Sequence, residues 1–154
     1  MLAIETIPCM LEAKALTTLL STSFPTSKAW LSFSCRDGSW TNAGDLYQDC
    51  VSLADRCEQV IAVGVNCTSP EHLSSLIAIA RAQTSKPIIV YPNRGDTWDS
   101  VTNTITLKPL EVISQWPTLI QEWHRLGASI IGGCCHLGPK YIESIATTFP
   151  LKPA

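Results

Sequence analysis

Apolar residues along this chain come in short continuous runs, separated by segments whose apolar positions repeat at helical spacing. Residues 2–6, 29–34, 59–66, 86–91 and 128–132 are the continuous runs, each of strand length. Such runs, in place of strict alternation, are expected where both faces of a strand are buried. Between them, residues 9–24 carry Leu16, Leu19 and Leu20 on a helical stripe with Ala13 and Ala15 beside it. Residues 44–57 form a second predicted helix, with Leu46, Val51, Leu53 and Ala54 inward. The third opens on Ser69 as cap with Pro70 in its first turn, and Leu73, Leu76, Ile77 and Ala80 line one face. Residues 96–108 are polar and rich in Thr and Asn, which predicts an irregular loop. A helix is expected over 110–126, interrupted near Pro117 because proline breaks the helical ladder. Gly138-Pro139 opens the last helix, with Ile142, Ile145 and Phe149 inward.

Strands alternating with helices imply parallel βαβ units and an α/β fold. Residue-level repeats and low-complexity segments are absent. Periodicity alone leaves two architectures open, an open doubly wound sheet and part of a (β/α)8 barrel. The barrel is favoured by where the chemically distinctive side chains fall. Glu5, Cys35, Cys67, Asn93, Cys134 and Cys135 all sit at C-terminal ends of predicted strands, the rim on which such barrels build their sites.

Composition narrows the function classes. The 154 residues, 45% hydrophobic and 16% charged, suit one soluble globular domain. A net charge of −2 gives no electrostatic reason to expect nucleic acid or an anionic membrane as partner. The longest apolar runs, such as 60–65, are far below a membrane span. The first eight residues hold an acid and a proline and lack the basic start of a signal peptide. Seven cysteines, an odd count, fit metal binding or free thiols in a reducing cytoplasm better than a disulfide framework.

Cys134-Cys135 follows Gly132-Gly133 at a strand end, and Cys67 ends another strand after Gly64-Val65-Asn66. Adjacent strand residues ordinarily face opposite ways, but two glycines and a strand end relax that rule. Three thiolates from two strand ends would supply three of zinc's four positions, and an open fourth position is the catalytic pattern. Taken singly, Cys67 reads more readily as a small buried hydrophobe. A vicinal Cys134–Cys135 disulfide is the strained alternative for the pair. Cys50 and Cys57, seven apart on one predicted helix, read as core or interface residues, and Cys9 as structural. Cys35 is a reserve ligand and His136 a distant fourth one. His72 and His124 fall on helices, where solvated or capping roles are expected. Glu5 either ends in solvent or holds a cationic group in a pocket.

At these residues the sequence resembles the homocysteine S-methyltransferase family. The resembling stretches are Glu5-Thr6-Ile7-Pro8 with Glu12-Ala13, Gly64-Val65-Asn66-Cys67 with Pro70, Tyr91-Pro92-Asn93 with Gly95 and Trp98, and Ile131-Gly132-Gly133-Cys134-Cys135 with Pro139 and Ile142. They occur in the family's order and span almost the whole chain. The match looks like the stand-alone type that uses S-methylmethionine or S-adenosylmethionine, not the betaine enzyme or the cobalamin-dependent synthase module. The resemblance implies zinc held by Cys67, Cys134 and Cys135, with homocysteine as substrate and a sulfonium methyl donor giving methionine. It also implies that Glu5 helps hold the homocysteine amino group, with Asn66, near the ligands, as a further candidate substrate-binding residue.

The glycine-rich, Asp-Gly-bearing first strand of the family has no counterpart here. The resemblance therefore implies an N-terminally truncated homocysteine-binding domain over residues 1–154, a partial TIM barrel of about five βα units corresponding to strands 4 to 8. Three further units of about 30 residues would add on the order of 90 residues toward the ~250 typical of such barrels. Open edges and exposed apolar strand faces predict association with a partner. Two further readings stand beside the enzyme. One is an inactive family remnant that at most binds zinc or homocysteine. The other is an open-sheet thiol protein with a reversible Cys134–Cys135 disulfide.

Overall fold

Each strand of the main sheet pairs in parallel with its neighbour in sequence. The computed structural model describes residues 1–99, 101–106 and 115–149. Its elements are β1 (Leu2–Ile7), α1 (Met10–Ser23), β2 (Ala29–Phe33), α2 (Tyr47–Asp55), β3 (Val60–Asn66), α3 (Pro70–Gln83), β4 (Ile88–Tyr91), β5 (Thr97–Asp99), β6 (Thr104–Thr106), α4 (Trp116–Arg125), β7 (Ala128–Ile131) and α5 (Pro139–Thr148). The main sheet has five parallel strands in the order β1-β2-β3-β4-β7, and β5 and β6 form a separate antiparallel pair.

That order decides how the helices are arranged. Crossovers between parallel strands are right-handed in nearly all cases, so strands added always on the same side lay their helices on the same face. The core agrees. Leu31, Phe33, Val63, Val65, Ile88 and Val90 are buried in one cluster with Leu73, Leu76, Ile77, Ile120 and Trp123 from the helices. The alternate strand positions Ala62 and Ile89 are buried but stand outside that cluster, and Ile130 is 45% exposed. One face is thus sealed by helices and the other is partly open.

Several local expectations are corrected. Cys9 caps α1, its Sγ accepting from the Glu12 N–H at 3.5 Å. The buried face of α1 is Ala13, Thr17 and Leu20, while Ala15 and Leu19 point to solvent. Thr17 is tolerated inside because its Oγ1 donates to the Ala13 carbonyl at 2.8 Å, which satisfies the hydroxyl. α2 starts at Tyr47, so Leu46 is its exposed flanking residue. It ends at Asp55, so Cys57 lies beyond the helix that holds Cys50, although both are buried. Ser69 precedes α3 without a side-chain cap, because its hydroxyl donates to Glu71.

The polar stretch after β4 is not wholly irregular. Asp99 Oδ1 accepts from the Val101 and Thr102 N–H groups, and Asn103 takes φ 54°, closing a turn between β5 and β6. Residues 107–108 of that expected loop lie outside the described residues. So do 110–114 of the expected helix. Pro117 does not interrupt α4 but sits in its first turn, where a missing N–H costs nothing. Trp116 and Trp123 of this helix meet edge to face at 5.3 Å, and Tyr141 of α5 packs on Trp116 at 5.5 Å. Ile142 is 47% exposed, whereas Ile145 and Phe149 pack on the core.

Two contacts hold the layers in register. The Lys86 ammonium donates to the carbonyls of Ala54, Asp55 and Cys57, covering the C-terminus of α2 from the start of β4, where a cation is favoured by the helix dipole. Gly64 of β3 lies opposite Ile89 of β4, and a Cβ there would run into the Ile89 carbonyl oxygen. Gly64→Ala therefore forces the two central strands apart. The expected loss is about 1–3 kcal/mol, read from the shift of the urea unfolding midpoint.

Candidate metal centre

Strands of one parallel sheet end at one edge, and here that edge gathers sulfur. The Sγ atoms of Cys67, Cys134 and Cys135 all lie within 4.8 Å of one another. Cys67 to Cys135 is 3.5 Å and Cys134 to Cys135 is 3.9 Å. Ligand sulfurs on a tetrahedral zinc with bonds of about 2.3 Å stand about 3.8 Å apart, close to the spacing of Cys135 from each of the other two thiols. Among the described residues, no other group of three His, Cys, Asp or Glu side chains converges in this way.

The local backbone explains the convergence. Cys67 follows the last residue of β3 with φ 50°, a left-handed turn that swings its thiol out of the strand's alternation. Such a conformation costs a non-glycine residue on the order of 1–3 kcal/mol, and neighbouring bonds hold it. The Cys67 N–H donates to the Tyr91 carbonyl at 3.1 Å, and Asn93 Nδ2 donates to the Cys67 carbonyl at 3.2 Å. On the other side, the Cys134 N–H donates to the Pro92 carbonyl at 2.8 Å and the Arg94 N–H to the Cys135 carbonyl at 3.1 Å. A Cβ on Gly133 would come within 2.9 Å of the Leu137 side chain, so the turn carrying the pair is drawn tight at a glycine.

The thiols are electrostatically crowded. Burial, followed by the adjacent Cys135 and Cys134 sulfurs, pushes the Cys67 thiol up to about 12. Burial raises Cys134 as well. Both therefore hold their protons at neutral pH until a cation replaces them. Cys35, the reserve ligand, stands apart. It is buried, burial and its neighbours Cys50 and Asp37 push it up to about 12, and it is not a member of the cluster. His136 is near the pair, but its Nδ1 bonds Asp96 Oδ2 at 2.7 Å. His72 lies on α3 beside Glu71, and His124 in the last turn of α4 bonds the Ala128 carbonyl.

Below the cluster, on the partly open face, runs a polar chain that strand periodicity does not reveal. Asn66 is 1% exposed, and its Oδ1 accepts from the Thr6 N–H at 2.8 Å and from the Ser32 hydroxyl. Its Nδ2 donates to Thr6 Oγ1 at 2.8 Å. With the Ser32 hydrogen given to Asn66, the Tyr91 hydroxyl donates to Ser32 at 2.7 Å while accepting from Trp30 Nε1 at 3.0 Å. Burial raises the Tyr91 phenol to about 12, and the Glu5 carboxylate beside it adds to the shift. Asn66 thus ties the left-handed Thr6, φ 62°, at the end of β1 to the strand end that carries Cys67. Missed in sequence were Asp96, Arg94, Ser32 and Tyr91 as members of this edge.

The sequence profile of the Homocysteine S-methyltransferase family matches residues 1–149. Homocysteine S-methyltransferase YbgG of Bacillus subtilis is 44% identical over 145 residues, which cover 94% of this chain and 45% of that protein. Homocysteine S-methyltransferase 3 of Arabidopsis thaliana is 37% identical over 154 residues, 100% of this chain and 44% of that protein. The metallated form of the homocysteine methyltransferase MmuM from Escherichia coli superposes with a TM-score of 0.78 at 31% identity, over 96% of this chain and 44% of that one. The chain spans under half the length of the relatives it matches.

Because Cys67 and Cys134 are held protonated, zinc uptake near pH 7 is expected to release at least two protons per ion, and affinity is expected to rise with pH. Calorimetry in two buffers of different ionisation enthalpy reads that proton count directly.

Proposed function

The chain belongs to the homocysteine S-methyltransferase family, and from that premise we propose that it carries the metal-binding part of an enzyme that methylates homocysteine to methionine. The observation that carries this reading is the triangle of three thiols on the C-terminal edge of the sheet, with Cys67, Cys134 and Cys135 as the residues that would hold zinc. When bound there, zinc would supply a Lewis acid on which a substrate thiol, ordinarily of pKa about 8.5, is a thiolate at neutral pH.

The remaining work falls to the chain's own groups. Glu5, at the end of β1 beside Tyr91, holds the ammonium group of homocysteine. Asn66 positions β1 against the Cys67 strand end through its bonds to Thr6. In the reaction, the homocysteine sulfur forms a new bond to the methyl carbon as the donor's S–CH3 bond breaks. The electron pair of that bond stays on the donor sulfur, which loses its positive charge. S-methylmethionine and S-adenosylmethionine both suit this displacement.

In the architecture we infer, the five strands are strands 4 to 8 of a (β/α)8 barrel, in a homocysteine-binding domain of which residues 1–154 are the C-terminal part. Sequential strand order with a single helix-covered face supports it, since a doubly wound sheet reverses its order and covers both faces. The strands β1 and β7 that edge the sheet are where association would occur. Seven free cysteines suit the cytoplasm. No helix among the described residues is long and apolar enough to cross a membrane, and no nucleic acid or membrane partner is proposed.

A second reading follows from the share of the relatives' length that is covered: a chain that binds zinc or homocysteine without turning it over. Zinc stoichiometry under reducing conditions tests the first step. About one zinc per chain is expected, lost in Cys134→Ser, and a folded sample without zinc would sink the proposal. Methionine formation from homocysteine and each donor then separates the enzyme from the binding remnant.

A further inference from the structure

Asp96 is a carboxylate with only 7% of its side chain exposed, in the segment that follows β4. A charge so enclosed needs compensation, and among the described residues Arg94 and His136 both bond it. Arg94 grips it with Nε and Nη2, at 3.1 and 2.8 Å. His136 bonds its Oδ2 through Nδ1 at 2.7 Å.

Both partners lead to the same ligand. His136 directly follows Cys135 and takes φ 62°, in the left-handed region, where a residue with a Cβ is strained. The Arg94 N–H donates to the Cys135 carbonyl. Cys135 itself is the most exposed of the three thiols, so side-chain packing does not hold it. We propose that Asp96 is a positioning residue for the metal centre. By gripping His136 it holds the strained turn that brings the Cys135 sulfur to 3.5 Å from Cys67. The inference rests on the zinc reading above and adds to it a residue that touches neither metal nor substrate.

The assignment explains why the polar stretch after β4 folds back toward the β7 end. Pro92, Asn93, Arg94 and Asp96 contact both cysteine-bearing turns: Asn93 bonds the Cys67 carbonyl, and the other three hold the Cys134-Cys135-His136 turn. Residues that orient metal ligands in this way commonly change affinity by about 10–100-fold when removed.

The test compares the wild-type chain with Asp96→Asn, Asp96→Glu, His136→Ala and the Asp96→Asn/His136→Ala pair. Each is titrated with Co(II) as a spectroscopic stand-in and with zinc by chelator competition, and each metal-free protein is melted. Asp96→Asn is expected to weaken zinc about 10–100-fold and to shift the Co(II)–thiolate absorption, with little change in metal-free melting. Asp96→Glu should recover most of the affinity. His136→Ala should carry most of the same loss, so that the double variant is little worse than either single one. Unchanged zinc affinity in Asp96→Asn, or losses that simply add, would overturn the assignment while leaving the metal site standing. So would an affinity loss fully accounted for by loss of folding. Absence of metal binding by the wild-type chain would instead remove the zinc reading, and this inference with it.

Discussion

The constraint on which the site depends is that its thiols come from the ends of strands that are not neighbours. β4 lies between β3 and β7, so the two thiol-bearing strands stand about 9.6 Å apart, twice the usual spacing. Yet two of the sulfurs at their ends are 3.5 Å apart. The side chains can close that gap only over the end of β4, which must stop and turn away beneath them. Tyr91-Pro92 does this. Proline ends the strand by offering no N–H to the ladder, and its carbonyl takes the Cys134 N–H instead. The left-handed Cys67 and His136 close the rest of the distance, one on each side.

Several groups at this edge are held against their own preference, and the compensations are shared. The strain at Cys67 is met by bonds from the β4 end, and that at Thr6 by the Asn66 amide. Thiols pushed upward in pKa by burial, and further by crowding at Cys67, are poor ligands while protonated, so the geometry is prepared and the charge is not. In the metal reading proposed above, this division suits the uptake of a dication. The backbone supplies the spacing beforehand, and proton release accompanies uptake instead of preceding it. Asn66 is enclosed, its amide bonded between strand ends, whereas Glu5 on the open face remains exposed.

Much of this was legible in the sequence because it followed from strict periodicities. The apolar runs located all five strands of the main sheet to within two residues at either end, and the third helix showed its buried face residue for residue, Leu73, Leu76, Ile77 and Ala80. The cysteines were legible because thiols beside glycines at strand ends make poor core elements. Elsewhere the signal was ambiguous. Leu19, Leu46 and Ile142 are apolar yet exposed, since a folded surface always retains apolar residues. Thr17 is polar yet buried because a local bond satisfies it. The hairpin after β4 escaped because its strands are three residues each, too short for alternation to show. The Asp96 knot escaped for another reason: Arg94 and His136 are two and forty residues away from it, and no local pattern encodes the longer of these.

The sealed and open faces of the sheet have different consequences. On the helix side, removing a side chain leaves a cavity, so that face sets stability. On the other side, polar groups take over as the strands approach their C-terminal ends, with Ser32, Asn66, Tyr91 and Glu5 on neighbouring strands. A hydrogen-bonded chain of that kind stays ordered without a packed layer above it, because each member's donors and acceptors are directed within the sheet. The thiol-bearing edge therefore rests on contacts among these five strands and the segments that follow β4 and β7. The spacing of the thiol triangle is thus set by the ends of β3, β4 and β7 and the turns that follow them.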